Sequence, residues 1–340
     1  MLPHVFSTQD LPRTGQLDAW KSWFDGVFDV SVDDPAEGFV ARSETWTLGS
    51  FGLSRVEAPR LHAIRTPTLV RRNPIDHWNI AIGHQRTSGE VGKGRSLDVP
   101  AGTPFVVSLG HDLSSVRGAD TRLQLYLPRD AFYELAPALD GAIGLALDTP
   151  MGRMLADFMI VLEKNLPGMS QSDLPGLHSA LRAMLSACLA PSPGNNAAAA
   201  NQIAATRRER VRRIVDANLG NAALGPELIC RQSGMSRSQL YRIFEPDGGV
   251  GRFILSRRLK KAYADLAEPW NANSISSIAY SIGFEDASQF GRAFKREFGI
   301  TPSDVRNAIL SGQQMPTCRA LGGPDEASTL HRLLTEIARP

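Results

Sequence analysis

The feature of this 340-residue chain that most limits its fold is a helical hairpin written twice. The first copy is PELICRQSGMSRSQLYRIF, residues 226–244, and the second is SISSIAYSIGFEDASQFGRAFKREF, residues 274–298. In the second, Ile275, Ile278, Ala279 and Ile282 recur at helical spacing, and Phe290, Phe294 and Phe298 recur every four residues. Gly283 permits the positive φ of a sharp turn, Phe284 plugs the angle behind it, and Ser274 and Asp286 stand where each helix needs a cap. Up to the turn the copies are offset by 49 (Cys230 with Ala279, Gly234 with Gly283, Met235 with Phe284) and after it by 50 (Leu240 with Phe290, Phe244 with Phe294).

Any packed hairpin would repeat its core positions, but two outward residues repeat as well, Gln239 with Gln289 and Arg242 with Arg292. Arg can donate a parallel pair of hydrogen bonds to guanine O6 and N7, and Gln can pair likewise with adenine N6 and N7. The expected DNA-contacting residues are therefore Arg237, Ser238, Gln239 and Arg242 in the first copy and Ser288, Gln289, Arg292, Lys295 and Arg296 in the second. Of these, Arg237, Lys295 and Arg296 suit phosphate contacts, which position a protein and make binding salt-dependent. The intervening VGRFILSRRLKKAYADLAE, 250–268, predicts one helix roughly 27–30 Å long, the kind of spacer that sets two reading helices in successive major grooves ~34 Å apart.

Charge follows the same division. Residues 201–311 hold 17 Lys and Arg against 11 Asp and Glu, whereas residues 1–200 hold 17 against 21. A basic segment beside a mildly acidic one fits a polyanion partner for the basic segment alone, although a basic face is often merely solvated. Cys188, Cys230 and Cys318 are too far apart and too few for a disulfide framework or a cysteine metal site. With 42% hydrophobic residues, no apolar run of membrane-spanning length and no secretory pattern, the expectation is a cytoplasmic protein without membrane contact.

APSPGNNAAAANQ, 190–202, lacks periodicity and predicts a linker at 191–203. Before it, residues 39–127 carry short alternating or β-branched segments (FVARSETWTL, FGLSRVEA, LHAIRT, HWNIAIGH, TPFVVSL, TRLQLYL) that predict an all-β barrel or sandwich, followed over 128–189 by helical periodicity. The expected division is 1–190, 191–203, 204–311 and a tail, 312–340, in which Leu330, Leu333, Leu334 and Ile337 form a short amphipathic stripe. The fold class is α+β with two domains: a β-barrel with accessory helices, then an all-α domain with two helix-turn-helix motifs joined by a linker helix.

Residues 207–308 resemble the DNA-binding domain of the AraC/XylS transcription regulators. The resemblance rests on SGMSRSQLYRIF, RRLKKA and IAYSIGFEDASQFGRAFKREFGITPSDVR, with Gly283-Phe284, Phe290, Arg292, Phe294, Lys295, Phe298-Gly299, Thr301-Pro302 and Arg306 in place. It implies a monomeric two-motif unit that bends or spans two adjacent grooves of double-stranded DNA and recruits RNA polymerase, within a chain expected to be a homodimeric activator that responds to a small-molecule effector. Two departures stand out. Pro246 ends the first reading helix early before a Gly-Gly turn, and Ser238 is small where some relatives carry a bulky base-contacting residue, so the first motif is expected to read fewer bases.

Such regulators commonly carry a cupin-like sensor, and GRSLDVPAG matches the Gly-x5-Pro-x-Gly turn of the second cupin motif through Gly94, Pro100 and Gly102. Metal-binding cupins place a histidine three residues on, where this chain has Phe105, and His77 and His84 lack the His-x-His spacing of the first motif. The expectation is a sensor with no metal, no cofactor and no catalytic residues. Trp46, Arg55, His62, Arg65 and Trp78, all on predicted strands, are the candidate effector-binding residues, since an inward Arg or His could hold an acidic ligand. The plainer alternative makes the tryptophans core and the arginines surface. Two rival functions are a cupin-type metalloenzyme fused to a DNA-binding domain and a nucleoid-type protein without a ligand.

Overall fold

The computed structural model describes residues 1–73, 75–92, 94–190, 196–268, 271–310 and 329–338. They fall into two compact units: Met1–Ala198 with Ala320–Pro340, and Ala199–Arg319.

The first unit opens with β1 (His4–Ser7), α1 (Arg13–Trp23), β2 (Asp29–Ser31), β3 (Arg42–Thr47), β4 (Gly52–Ala58), β5 (Leu61–Arg65) and α2 (Pro67–Arg72). Then follow β6 (Trp78–Gly83), β7 (Thr87–Val91), β8 (Arg95–Val99), β9 (Phe105–Ser108), β10 (Leu113–Arg117) and β11 (Asp120–Leu127). They pair into a six-stranded sheet, β1-β3-β4-β11-β6-β9, and a five-stranded sheet, β2-β5-β10-β7-β8. Every pairing is antiparallel. The six segments expected as strands each hold one. Five further strands, β1, β2, β7, β8 and β10, are three to five residues long with at most two apolar residues each and so give a weaker pattern.

Register divides each sheet into two faces. On the six-stranded sheet one face carries Trp46, Leu53, Leu125, Ile80 and Trp78, all buried. It lies toward the helices that follow the strands, for the Trp78 indole N–H donates to Asp140 of α3 (Ala136–Ala142) at 2.7 Å. Beyond α3, α4 (Pro150–Asn165) buries Leu155, Met159 and Leu162 and α5 (Leu174–Cys188) buries Leu177, Leu181 and Leu185 in the same core. The opposite face meets the five-stranded sheet: Arg122 of β11 donates to Thr87 of β7 across the gap at 2.6 Å.

The second unit is helical: α6 (Asn196–Ala217), α7 (Pro226–Ser233), α8 (Arg237–Phe244), α9 (Val250–Ala267), α10 (Ile275–Ser281), α11 (Ala287–Phe298) and α12 (Pro302–Leu310). α6 begins at Asn196 and so takes in residues 196–203 of the expected linker, where the run of alanine, the strongest helix former, extends the helix. Residues 191–195 of that linker, and 311–328 of the tail with Cys318, lie outside the described residues.

The tail itself returns to the first unit as α13 (Leu330–Ile337). Leu330, Leu333, Leu334 and Ile337 are buried in that unit's core, and the His77 ring bonds the Leu334 carbonyl oxygen at 2.9 Å. His331 accepts from the Asn73 amide at 2.9 Å, and burial first, then the charges of Arg65 and His77, depress its pKa to about 4.

Candidate nucleic-acid interface

Two separate cores hold the second unit together, and α9 belongs to both. Its first turns place Val250 and Ile254 with Val211, Val215, Ile229, Leu240 and Phe244, while Leu259, Ala262, Tyr263 and Leu266 pack with Ile278, Ile282, Phe290, Phe294 and Phe298. Each core is one helix-turn-helix closed by one end of a shared rod of 18 residues. Arg258, near the middle of that rod, then ties the halves together: it donates to Leu219 O (3.0 Å) and Asn221 O (2.8 Å) after α6, and to Gly283 O (3.1 Å) at the second turn. This bridging residue was not singled out from the sequence.

The second hairpin forms as its residues dictate. The Ser274 hydroxyl caps α10 by accepting from Ser277 N at 3.0 Å. Gly283 takes φ +82°, and Phe284 meets Phe290 edge-on at 5.3 Å. Asp286 caps α11, accepting from Ser288 N at 2.8 Å and Gln289 N at 3.2 Å; the Ser288 bond first, then the Gln289 bond and the Arg292 charge, hold its pKa below the usual carboxylate value. With Phe290, Phe294 and Phe298 buried, Ser288, Gln289, Arg292, Lys295 and Arg296 all stand exposed on the other side. Ser288, Arg292 and Lys295 line one surface groove with Gly291, Thr301 and Ser303.

The first hairpin spends more of its polar groups on itself. Gly234 turns at φ +69° and α8 is 8 residues long, stopped by the turn through Pro246 and the left-handed Gly248. Ser236 and Gln239 form a reciprocal capping box: Gln239 N donates to Ser236 Oγ (3.3 Å) and Ser236 N to Gln239 Oε1 (3.2 Å). The repeated glutamine thus has a local structural reason in this copy, one that the Ser-x-x-Gln spacing itself signals. Arg237 reaches Glu227 at 2.6 Å, both side chains being exposed. Ser238 and Arg242 are exposed, and Arg242 lines a groove with Tyr241, an exposed aromatic absent from the sequence-based set.

The five candidate effector residues are not brought together. Trp46, Arg55 and Trp78 share the face of the six-stranded sheet turned from the five-stranded one, and Arg55 pairs there with Glu44 and Glu57. His62 lies near Asp33 at 3.2 Å on the outer side of β5. Arg65 alone points inward, and its guanidinium donates to the carbonyls of Leu109, Gly26, Val27 and Ile75, with burial drawing its pKa down to about 10. Phe105, where metal-binding cupins carry histidine, packs its ring 5.7 Å from the Arg122 guanidinium. Among the described residues no group of three His, Cys, Asp or Glu side chains is placed to hold a metal ion, and no helix is long and apolar enough to cross a membrane.

Two capped helix-turn-helix motifs on one connecting helix, each with an exposed basic row, define a DNA-binding module of the two-motif class. Residues 229–308 match the family described as a helix-turn-helix domain. The crystal structure of the AraC-like transcriptional activator CuxR is similar at 30% identity, covering 77% of this chain and 96% of that one with a TM-score of 0.53. The chain belongs to the AraC/XylS family of transcription regulators. It is also 23% identical over 317 residues to the transcriptional activator NphR of a Rhodococcus species, covering 86% of this chain and 91% of NphR. The transcriptional activator RhrA of Rhizobium meliloti is 32% identical over 101 residues, a match that spans 29% of this chain and about a third of RhrA.

Proposed function

We propose that the protein is a sequence-specific DNA-binding transcription regulator, not an enzyme, in which a small effector bound by the first unit controls how the second engages a promoter. The observation that carries this is α11: a phenylalanine stripe anchors it while Ser288, Gln289, Arg292, Lys295 and Arg296 remain exposed in one row. Arg292 and Gln289 are the base readers, and Lys295 and Arg296 contact phosphate. The first motif contributes Arg242 and Ser238, with Arg237 on phosphate. Action as an activator is supported by the likeness to the AraC-like transcriptional activator CuxR, and contact with RNA polymerase is part of the same reading. A homodimer is supported by Met154 and Val161 on α4, each about half exposed or more beside an otherwise buried stripe. A switch requires that the effector favour one arrangement of the protein over another.

Footprinting on DNA adjoining the gene, with and without metabolite extracts, tests the site, its spacing and the effector together. Arg292→Ala should cost ~1–3 kcal/mol at the protected site and flatten preference at one base pair, whereas Lys295→Ala should weaken all duplexes alike and lower the salt slope by about one. Equal effects of both variants on specific and random DNA would remove the assignment.

A further inference from the structure

The seat of α13 on the first unit is more specific than its apolar stripe requires. An isolated helix of eight residues is unstable in water, so α13 is helical because this surface folds it. The surface is shaped for it at Gly52. That glycine has no positive φ to require it, yet a Cβ in its place would stand 3.2 Å from Ile337 Cδ1. Glycine within a strand commonly marks such a close approach.

Beside the stripe lies a platform of buried polar side chains, Arg65, Asn73 and His77. Arg65 gathers the carbonyls of Gly26, Val27, Ile75 and Leu109, and Asn73 Nδ2 donates to Gly26 O as well. Ile75 N donates to Asn73 Oδ1 at 2.9 Å, which fixes the amide's orientation and turns its N–H toward His331. An amide N–H only donates, so His331 Nδ1 must offer a lone pair and the ring docks neutral. His77 Nε2 meets the Leu334 carbonyl and therefore donates to it, while His77 Nδ1 has no partner among the described residues. A second proton on either ring would thus face a donor in one case and find no acceptor in the other.

Charge works in the same direction. Arg65 and His77 face His331, and on α13 itself Arg332 pairs with Glu336 at 3.4 Å. Asp76, Asp130 and Arg129 stand around His77, and Asp76 and Asp29 around Arg65. For His77 burial outweighs those carboxylates and lowers the pKa; for His331 burial, then the charges of Arg65 and His77, lower it to about 4. Once released, both rings return toward ~6.5. An imidazole depressed in this way contributes docking strength that is full above ~6.5 and is lost as pH falls toward the docked value. Chain order gives the helix a second significance. The second unit lies between α5 and α13, so docked α13 anchors the C-terminal end of that unit's chain while the segment after α5 anchors its start.

We propose that α13 is a proton-releasable clasp: docked with His331 and His77 neutral, it ties down the C-terminal end of the DNA-binding unit, and protonation of the two rings in mild acid frees it. Hydrogen exchange of the full chain, read by mass spectrometry and corrected for intrinsic rates, tests this. Between pH 7.5 and 5, protection over residues 329–338 should fall about thirtyfold or more, as expected of one group at ~6.5 when free and about 4 when docked. Over the same range β4 and β11 should hold theirs within about threefold. His331→Gln keeps an acceptor for Asn73, and His77→Gln keeps a donor for Leu334 O, neither with a titrating ring. The double variant should dock at pH 7.5 and lose no more than about threefold by pH 5. The wild-type contrast between α13 and the two strands is read within one sample and decides the matter if that variant fails to dock. In NMR relaxation, α11 amides of the wild type should report faster tumbling at pH 5 than at pH 7.5, and those of the double variant no change. Flat protection in the wild type, loss in step with β4 and β11, a docked double variant as acid-sensitive as the wild type, or α11 tumbling unchanged on release would each overturn the clasp.

Discussion

The two helix-turn-helix hairpins of the second unit share one pattern and put it to different use. In the first, Gln239 closes a capping box and Arg237 pairs with Glu227, so its polar side chains partly stabilise the hairpin itself. In the second, a single carboxylate, Asp286, does the capping, and the side chains of α11 are left for a partner. The turn glycines differ in the same sense. A Cβ on Gly234 would meet nothing within 4 Å, whereas on Gly283 it would stand 2.6 Å from Arg258 Nη2 and 2.9 Å from Leu219 O. The duplicated pattern therefore specifies a hairpin twice, but only the second turn is also the seat of the arginine that joins the halves.

Substituting the two glycines is the harshest way to break this comparison. Both take positive φ, where a side chain costs ~1–2 kcal/mol. Gly234→Ala should lose about that much. Gly283→Ala must in addition displace Arg258 from Gly283 O and its neighbours and press on a fixed backbone oxygen, bringing the loss to ~3 kcal/mol or more. Urea unfolding of the two variants gives the difference directly; equal losses would mean that Arg258 does not seat the second turn.

How legible these features were depends on what the chain writes in side chains. Gly283, Ser274, Asp286 and the Phe290, Phe294, Phe298 stripe act on residues within four or five positions, and local spacing is enough to read them. Arg258 acts through backbone carbonyls 39, 25 and 37 residues away, and a carbonyl carries no residue identity. In the first unit, the alternation of TRLQLYL marks a strand but not its surroundings: both its faces are buried, and Arg122, Gln124 and Tyr126 point inward. For the same reason Trp46 and Trp78 could be placed on strands but not on a face, since a shift of one residue exchanges the faces. The α13 stripe was readable as a helix, while its seat on the first unit depends on a fold that encloses it.

A milder comparison uses the matched glutamines. Gln239→Ala removes the return half of the capping box and should cost ~0.5–1 kcal/mol of stability, with little loss of base preference. Gln289→Ala should leave stability within about 0.5 kcal/mol, because its side chain is exposed on α11 and only its backbone N–H serves the cap, while removing ~1–3 kcal/mol of discrimination at one base pair. Thermal melts and footprint titrations on both variants separate the two roles. The comparison fails if Gln239→Ala relaxes base preference and Gln289→Ala only lowers stability.

The smallest difference lies in what caps each reading helix. Ser236 offers a hydroxyl that does not titrate in the accessible range, whereas Asp286 offers a carboxylate whose pKa is depressed by the amide bonds it accepts, that from Ser288 foremost. A depressed carboxylate contributes stability that is fully present above its unfolded value, ~3.9, and is lost as pH falls through the folded one. Acidification from pH 5 to 3 should therefore loosen the first turn of α11 and spare that of α8. In amide NMR spectra of the full chain, Ser288 and Gln289 should shift with the Asp286 titration, and their hydrogen exchange should quicken relative to Gln239 once intrinsic rates are corrected for pH. Since the fraying is confined to one turn, the global melting temperature should move far less than these two amides. If Gln239 instead moved in step with them, the loss would be global, and the carboxylate cap would not be what distinguishes the second motif.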